Sequence, residues 1–136
     1  MPRTYSTNGA NLLITVAPDS AATTGLTPPK PDSVAGLQYA LLRERPYALT
    51  SDDLLFEVHA RRKGIAQADQ MQARQDFFGK PQACLRASPL AKTHGWGLHH
   101  DAQGKVGLHA VNSDEYGRLA ASPGVTVTPA MRARRG

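Results

Sequence analysis

Only one cysteine, Cys84, occurs among the 136 residues, so no disulfide can form within the chain. A lone thiol suits a reducing compartment, and a cytoplasmic location is the expectation. Long apolar runs are missing as well. The longest near the start, Leu12-Leu13-Ile14-Thr15-Val16, is too short for the core of a secretory signal and far too short to cross a bilayer. No membrane partner is expected. Spacings of the Cys-x-x-Cys, His-x-x-x-His or His-Glu-x-x-His kind do not occur, and neither does a Walker run or a dinucleotide fingerprint. The chain is therefore read as carrying no cofactor and no metal.

What is present fits one α+β domain over residues 1–136. The apolar fraction is 40% and the charged fraction 20%, ordinary globular values. The net charge of +5 is lopsided. Residues 1–60 hold four basic and six acidic side chains, and the remainder holds twelve and five. Such a basic half attracts phosphates, nucleic acid or acidic partners through its field, although runs of charge also occur on solvated faces.

Asn11 to Val16 reads as a strand. Residues 17–32, with four prolines and no period, read as an extended connection over the surface. Asp32 then caps a first helix with Val34, Leu37 and Leu41 on its apolar stripe, and Pro46 stops it. Thr50 or Ser51 caps a second helix, closed by Gly64. A third runs from about Ala66 to Phe78, with Met71, Ala73 or Arg74, and Phe77 or Phe78 facing inward. Ser113 caps a fourth, and Val125 to Val127 add an edge strand. Residues 131–136 read as a disordered basic tail. The predicted fold is a small, mainly antiparallel sheet centred on a hairpin, with about four helices packed on it.

That hairpin joins Gly95–His100 to Lys105–Ala110. If residues whose numbers sum to about 206 face each other, Trp96, Leu98, His100, Val106, Leu108 and Ala110 share one side. Gly95, Gly97, His99, Gly107 and His109 then share the other. Three glycines weaken a sheet, so either a second element approaches very closely or a ligand lies there. His99 and His109 sit diagonally and lack the further ligands that zinc requires.

The segment Lys80 to His94 precedes the hairpin and carries Arg86, Ser88, Lys92, Thr93 and His94. Guanidinium and hydroxyl groups on a proline-pinned loop suit a phosphate or carboxylate, unless the arginine pairs with Asp52, Asp53 or Glu57. Cys84 reads as a small buried hydrophobe more readily than as a nucleophile. Residues 56–74 make a weak helix-turn-helix, because Gln70 stands where an apolar residue should lock the second helix.

Tyr47 with Thr50-Ser-Asp-Asp-Leu-Leu-Phe-Glu-Val58, Phe77-Phe78, Cys84-Leu-Arg-Ala-Ser-Pro-Leu90, Gly95-Trp-Gly-Leu-His99, Gly104-Lys105 and Glu115-Tyr116 together resemble a family of short bacterial proteins known only as a domain of unknown function. The resemblance spans nearly the whole chain and implies no activity. It departs from the usual pattern at His109, where an aromatic residue is expected, and at His94, where tyrosine is more typical. Those departures count against a metal pair at His99 and His109.

The function these residues suggest is binding of an anionic small molecule, with enzymatic use of the same site open. Arg86 would pair with the anion, Ser88 donate a hydrogen bond, Trp96 wall the pocket, Lys92 add charge and His99 orient or protonate the ligand. The pocket is expected between the second helix, the 80–94 segment and the glycine face. The alternatives are nucleic-acid binding through the basic half and a protein-interaction module whose glycine face a partner covers. Oligomeric state is not readable.

Overall fold

The computed structural model describes residues 4–133. Its elements are β1 (Leu12–Thr15), α1 (Val34–Glu44), α2 (Ser51–Lys63), α3 (Gln70–Phe78), α4 (Pro89–Lys92), β2 (Trp96–His100), β3 (Val106–Ala110), α5 (Asp114–Ala121) and β4 (Thr126–Pro129). The fold class is α+β, with five α-helices where about four were expected. No helix of the described residues is long and apolar enough to cross a membrane.

The strands form one sheet in the order β3-β2-β1-β4. The hairpin register is the one the apolar alternation predicts, from Trp96 opposite Ala110 to His100 opposite Val106. β1 runs antiparallel to β2, with Leu12 opposite His100. β4, the expected edge strand, lies parallel to β1 and makes the sheet mixed. The reason is the connection: α5 separates β3 from β4, and a helical crossover returns the chain in its original direction, as a tight turn cannot. The outer rim of β3 is paired too. Tyr47 N–H donates to the Val106 carbonyl at 3.0 Å and Val106 N–H donates to the Leu49 carbonyl at 2.8 Å. The α1–α2 connection thus runs along the sheet as a short fifth rung.

Helices α1, α2 and α4 cover one face. Leu41, Leu42, Leu54, Val58 and Leu90 pack there with Ile14, Trp96, Leu98 and Val106. Each fully buried leucine contributes about 1.5–3 kcal/mol relative to exposure. The first helix is capped by Ser33, not by Asp32: Ser33 Oγ accepts from Gly36 N–H at 3.0 Å. Thr50 caps α2 in a reciprocal box. Its hydroxyl accepts from Asp53 N–H while the Asp53 carboxylate accepts from Thr50 N–H, both at 3.1 Å. Gly64, at φ 63°, closes α2 in the left-handed conformation.

Three expectations need correction. The 80–94 segment is no surface loop, because Leu85 and Leu90 are fully buried and pull a 3-10 turn (Leu85–Ala87) and α4 into the core. The third helix begins at Gln70 after a separate 3-10 turn, and Met71 points to solvent at 79% exposed. In its place Arg74 lies over the rings of Phe56 and Phe78 and pairs with Asp53 at 2.9 Å. Cys84 is exposed, contrary to the buried reading.

Residues 17–32 form no helix or strand but are tied along their length. Ala17 N–H donates to the Ala91 carbonyl, Leu26 N–H to that of His94, and Trp96 Nε1 to that of Leu26, at 2.8–2.9 Å. At the amino-terminal side, Asp52 accepts from Ser6 Oγ, Thr7 N–H and Thr7 Oγ1, each at 2.7 Å. Of the tail expected to be disordered, Met131 N–H donates to the Arg86 carbonyl and Ala133 N–H to Asp19 Oδ1. Residues 134–136 lie outside the described residues.

Candidate functional site

The glycine-bearing face of the hairpin is covered by the protein's own rings. A Cβ on Gly97 would fall 2.6 Å from Tyr116 Cε2, and one on Gly107 would fall 2.5 Å from Tyr47 Cε2. Two tyrosine rings therefore fill the space where side chains are absent. Tyr116 comes from α5, and its hydroxyl accepts a hydrogen bond from Val16 N–H at 3.1 Å. Tyr47 comes from the opposite rim, where its backbone pairing to β3 turns the ring over the sheet. It does so at φ 56°, a left-handed conformation costly for an aromatic residue.

Tyr47 Oη sits between two imidazoles. It lies 2.9 Å from His99 Nδ1 and 2.6 Å from His109 Nε2. The two histidines are diagonal neighbours across the β2–β3 ladder, as the register requires. All three side chains are half-buried. Burial pushes the Tyr47 hydroxyl above the usual phenol range, and the charge of Asp101 pushes the same way. Burial lowers His99 below an ordinary histidine, with Asp101 opposing, and lowers His109, helped by the nearness of His99. The cluster is thus held neutral at neutral pH: a phenol can donate to one ring and accept from the other.

On the inner face His100 is almost fully enclosed, and its Nδ1 meets the Leu98 carbonyl at 3.2 Å. Burial dominates in lowering its proton affinity; His99 adds to the effect, while the Leu98 and Leu12 backbone and Asp101 oppose it. Three histidines on two adjacent strands therefore prefer to be neutral in the fold. Unfolded imidazoles titrate near 6.5, so below that value the unfolded chain binds more protons than the folded one. Stability is full above that pH and is lost as pH falls through the lowered folded values. Melting temperature is expected to drop between about pH 7.5 and about pH 5.5, before carboxylates protonate. A flat profile across that window would contradict neutral burial of the three rings.

The residues expected to form the anion pocket are placed apart. Trp96 faces inward beneath Gly25, and Ser88 Oγ is buried, donating to Gln38 Oε1 at 2.6 Å while capping α4. His99 is on the other side of the sheet. Among the described residues Arg86 pairs with no carboxylate; its Nε donates to the Pro129 carbonyl at 2.8 Å, at the β4 rim. Lys92 ends α4 and is half-buried. The sheet therefore separates α2 and the 80–94 segment from the glycine face, and the expected pocket between them is divided. Among the described residues no group of three histidine, cysteine or acidic side chains is placed to hold a metal ion. Tyr47 is the member that sequence reasoning missed as a site residue. Its partners lie 52 and 62 positions away, and its only early signal was its place in the resemblance.

A family model described as a family of unknown function, DUF6157, matches residues 4–136. The chain belongs to the DUF6157 family. No curated protein and no solved structure matches it. The DUF6157 match covers both tyrosines, the three histidines of the hairpin and the Arg86–Ser88 segment, and it assigns none of them a role.

Proposed function

We propose that the protein binds a small polar molecule beside the Tyr47, His99 and His109 cluster, with acid–base chemistry available at that point. The observation that carries this reading is the phenol oxygen held at 2.9 and 2.6 Å between two imidazole nitrogens. When one imidazole is protonated, it can give its proton to Tyr47 Oη while the phenol gives its own to the other ring. The phenol is neutral before and after, and the positive charge has crossed from one histidine to the other. A group reached by either ring can then be protonated or deprotonated without a charged phenolate forming. The strained backbone of Tyr47 supports the reading, since such strain concentrates where geometry is selected for a task.

An anionic ligand fits this site under one condition. Two neutral imidazoles attract an anion weakly, so the anion enters together with a proton and binds more tightly as pH falls toward the lowered range of the two rings. A cytoplasmic setting belongs to the same proposal and is supported by the single exposed thiol, Cys84.

The test is a thermal-shift panel of phosphorylated and carboxylated metabolites at about pH 6 and about pH 7.5. It compares wild type, Tyr47→Phe and Arg86→Ala. A ligand of this site should stabilise wild type more at the lower pH. Its affinity should fall about tenfold in Tyr47→Phe, the loss of one or two hydrogen bonds. Arg86→Ala should respond as wild type does. Loss of the response in Arg86→Ala but not in Tyr47→Phe would move the site to the β4 rim and end this proposal.

A further inference from the structure

A second site is carried by His59, on α2, far from the hairpin in sequence and on different elements. Two clefts meet at its ring. One, of about 520 Å³, is lined by His59, Ala73, Asp76, Phe77, Lys80 and Gln82. The other, of about 210 Å³, has His59, Arg62 and Lys63 among its walls, with Leu55 and Val58. The larger lies within the range of small-molecule sites.

Two rings, His59 and Phe77, line the larger cleft, and His59 alone lines both. The rings of His59 and Phe77 stack with centroids 4.6 Å apart and planes 36° apart, and Phe56 supports both at 6.1 and 5.9 Å. The rim is cationic. Among the described residues the ion pairs are Arg61 with Glu57, Arg74 with Asp53 and Arg118 with Glu115, so Arg62, Lys63 and Lys80 have no carboxylate within ion-pair distance. The one acid in the lining, Asp76, already accepts from Gln72 Nε2 at 2.9 Å. The His59 and Phe77 rings beside the Lys80 ammonium fit a ligand with a ring at one end and a multiply charged anion at the other.

We infer that the His59–Phe77 cleft binds a ring-bearing phosphate of nucleoside monophosphate size, the base packing against the two rings and the phosphate meeting Lys80. Phosphate is favoured over carboxylate because its second charge strengthens the attraction to the Lys80 ammonium.

Titration of the ¹⁵N-labelled full chain with adenosine 5′-monophosphate, adenosine and inorganic phosphate tests this. The monophosphate is expected to saturate with Kd below about 1 mM, and each half-ligand to bind at least about tenfold more weakly. Amide shifts should cluster at residues 59–63 and 77–82 and spare 47, 99 and 109. Lys80 is exposed, so Lys80→Glu keeps the fold and should weaken the monophosphate by about tenfold or more at low salt. Tyr47→Phe, which disables the hairpin cluster, should leave this binding unchanged. Absence of saturable binding overturns the inference, as does a wild-type affinity in Lys80→Glu. Shifts confined to the hairpin overturn it while leaving the hairpin proposal standing.

Discussion

Replacing Gly95 with alanine is expected to lower the melting temperature by about 10 °C. Two effects act together. Gly95 sits at φ 77°, a conformation side-chain-bearing residues rarely take, and its added Cβ would lie 2.9 Å from the Thr24 carbonyl carbon and 3.1 Å from Ala22 Cβ. The neighbour is backbone of the 17–32 connection, which is itself held by Leu26 N–H on the His94 carbonyl and by the Trp96 indole on the Leu26 carbonyl. It cannot yield without undoing those bonds. Strain and displacement together cost about 3 kcal/mol, and each kcal/mol moves the midpoint by about 3–4 °C for a chain of this size. Gly117→Ala is the control. Nothing lies within 4 Å of its would-be Cβ on α5, and alanine favours a helix by up to about 1 kcal/mol. Differential scanning calorimetry of both variants checks the pair; a Gly95→Ala midpoint within about 2 °C of wild type contradicts the close approach.

Asp52→Ala is expected to cost about 2–4 kcal/mol, a large share of the stability of a domain this small. The carboxylate accepts three hydrogen bonds at 2.7 Å from Ser6 and Thr7, and it sits in the first turn of α2, where the helix dipole favours a negative charge. Alanine removes the acceptors and leaves Thr7 N–H without this partner. Asp52→Asn keeps one acceptor oxygen and loses the charge, so its destabilisation should be intermediate. Urea unfolding gives the magnitudes. Hydrogen exchange gives the location: the Thr7 amide should exchange faster in both variants, while Leu98 and Val106 amides follow global stability. Unchanged protection at Thr7 would mean that the amino-terminal segment of residues 5–8 is held by something other than Asp52.

The hairpin was legible because alternation is a two-residue signal. Once Trp96, Leu98, Val106 and Leu108 share a face, a slip by one residue exposes all of them. Caps were legible for the same local reason, apart from the one-residue choice between Asp32 and Ser33. The absence of bulk at Gly97 and Gly107 could be read, and so could the need for something to fill it. The filler could not. Tyr116 arrives on a helix that first had to be carried across the sheet, and Tyr47 arrives by a left-handed turn at a residue with none of the usual features for it. The Arg86, Ser88, Trp96, Lys92 and His99 grouping rested on nearness in sequence. Successive strand residues point to opposite sides, and Leu85 and Leu90 draw the preceding segment to the inner side, so chain proximity placed these groups on different surfaces. The parallel placement of β4 depends on where a crossover lands, which no window of residues encodes.

The pairing of Tyr47 and Leu49 with Val106 has an effect beyond the cluster it positions. A sheet of four strands normally offers two open ladders to any other extended chain, and such ladders template amyloid growth. Here one flank is already stitched at its Val106 end by the protein's own connection, and the other is four residues long and ends at Pro129, which has no N–H to offer. Loosening residues 45–50, as by replacing Tyr47 with proline, which cannot take a positive φ and has no N–H for the Val106 carbonyl, would unmask the flank beside Val106 and favour self-templated assembly.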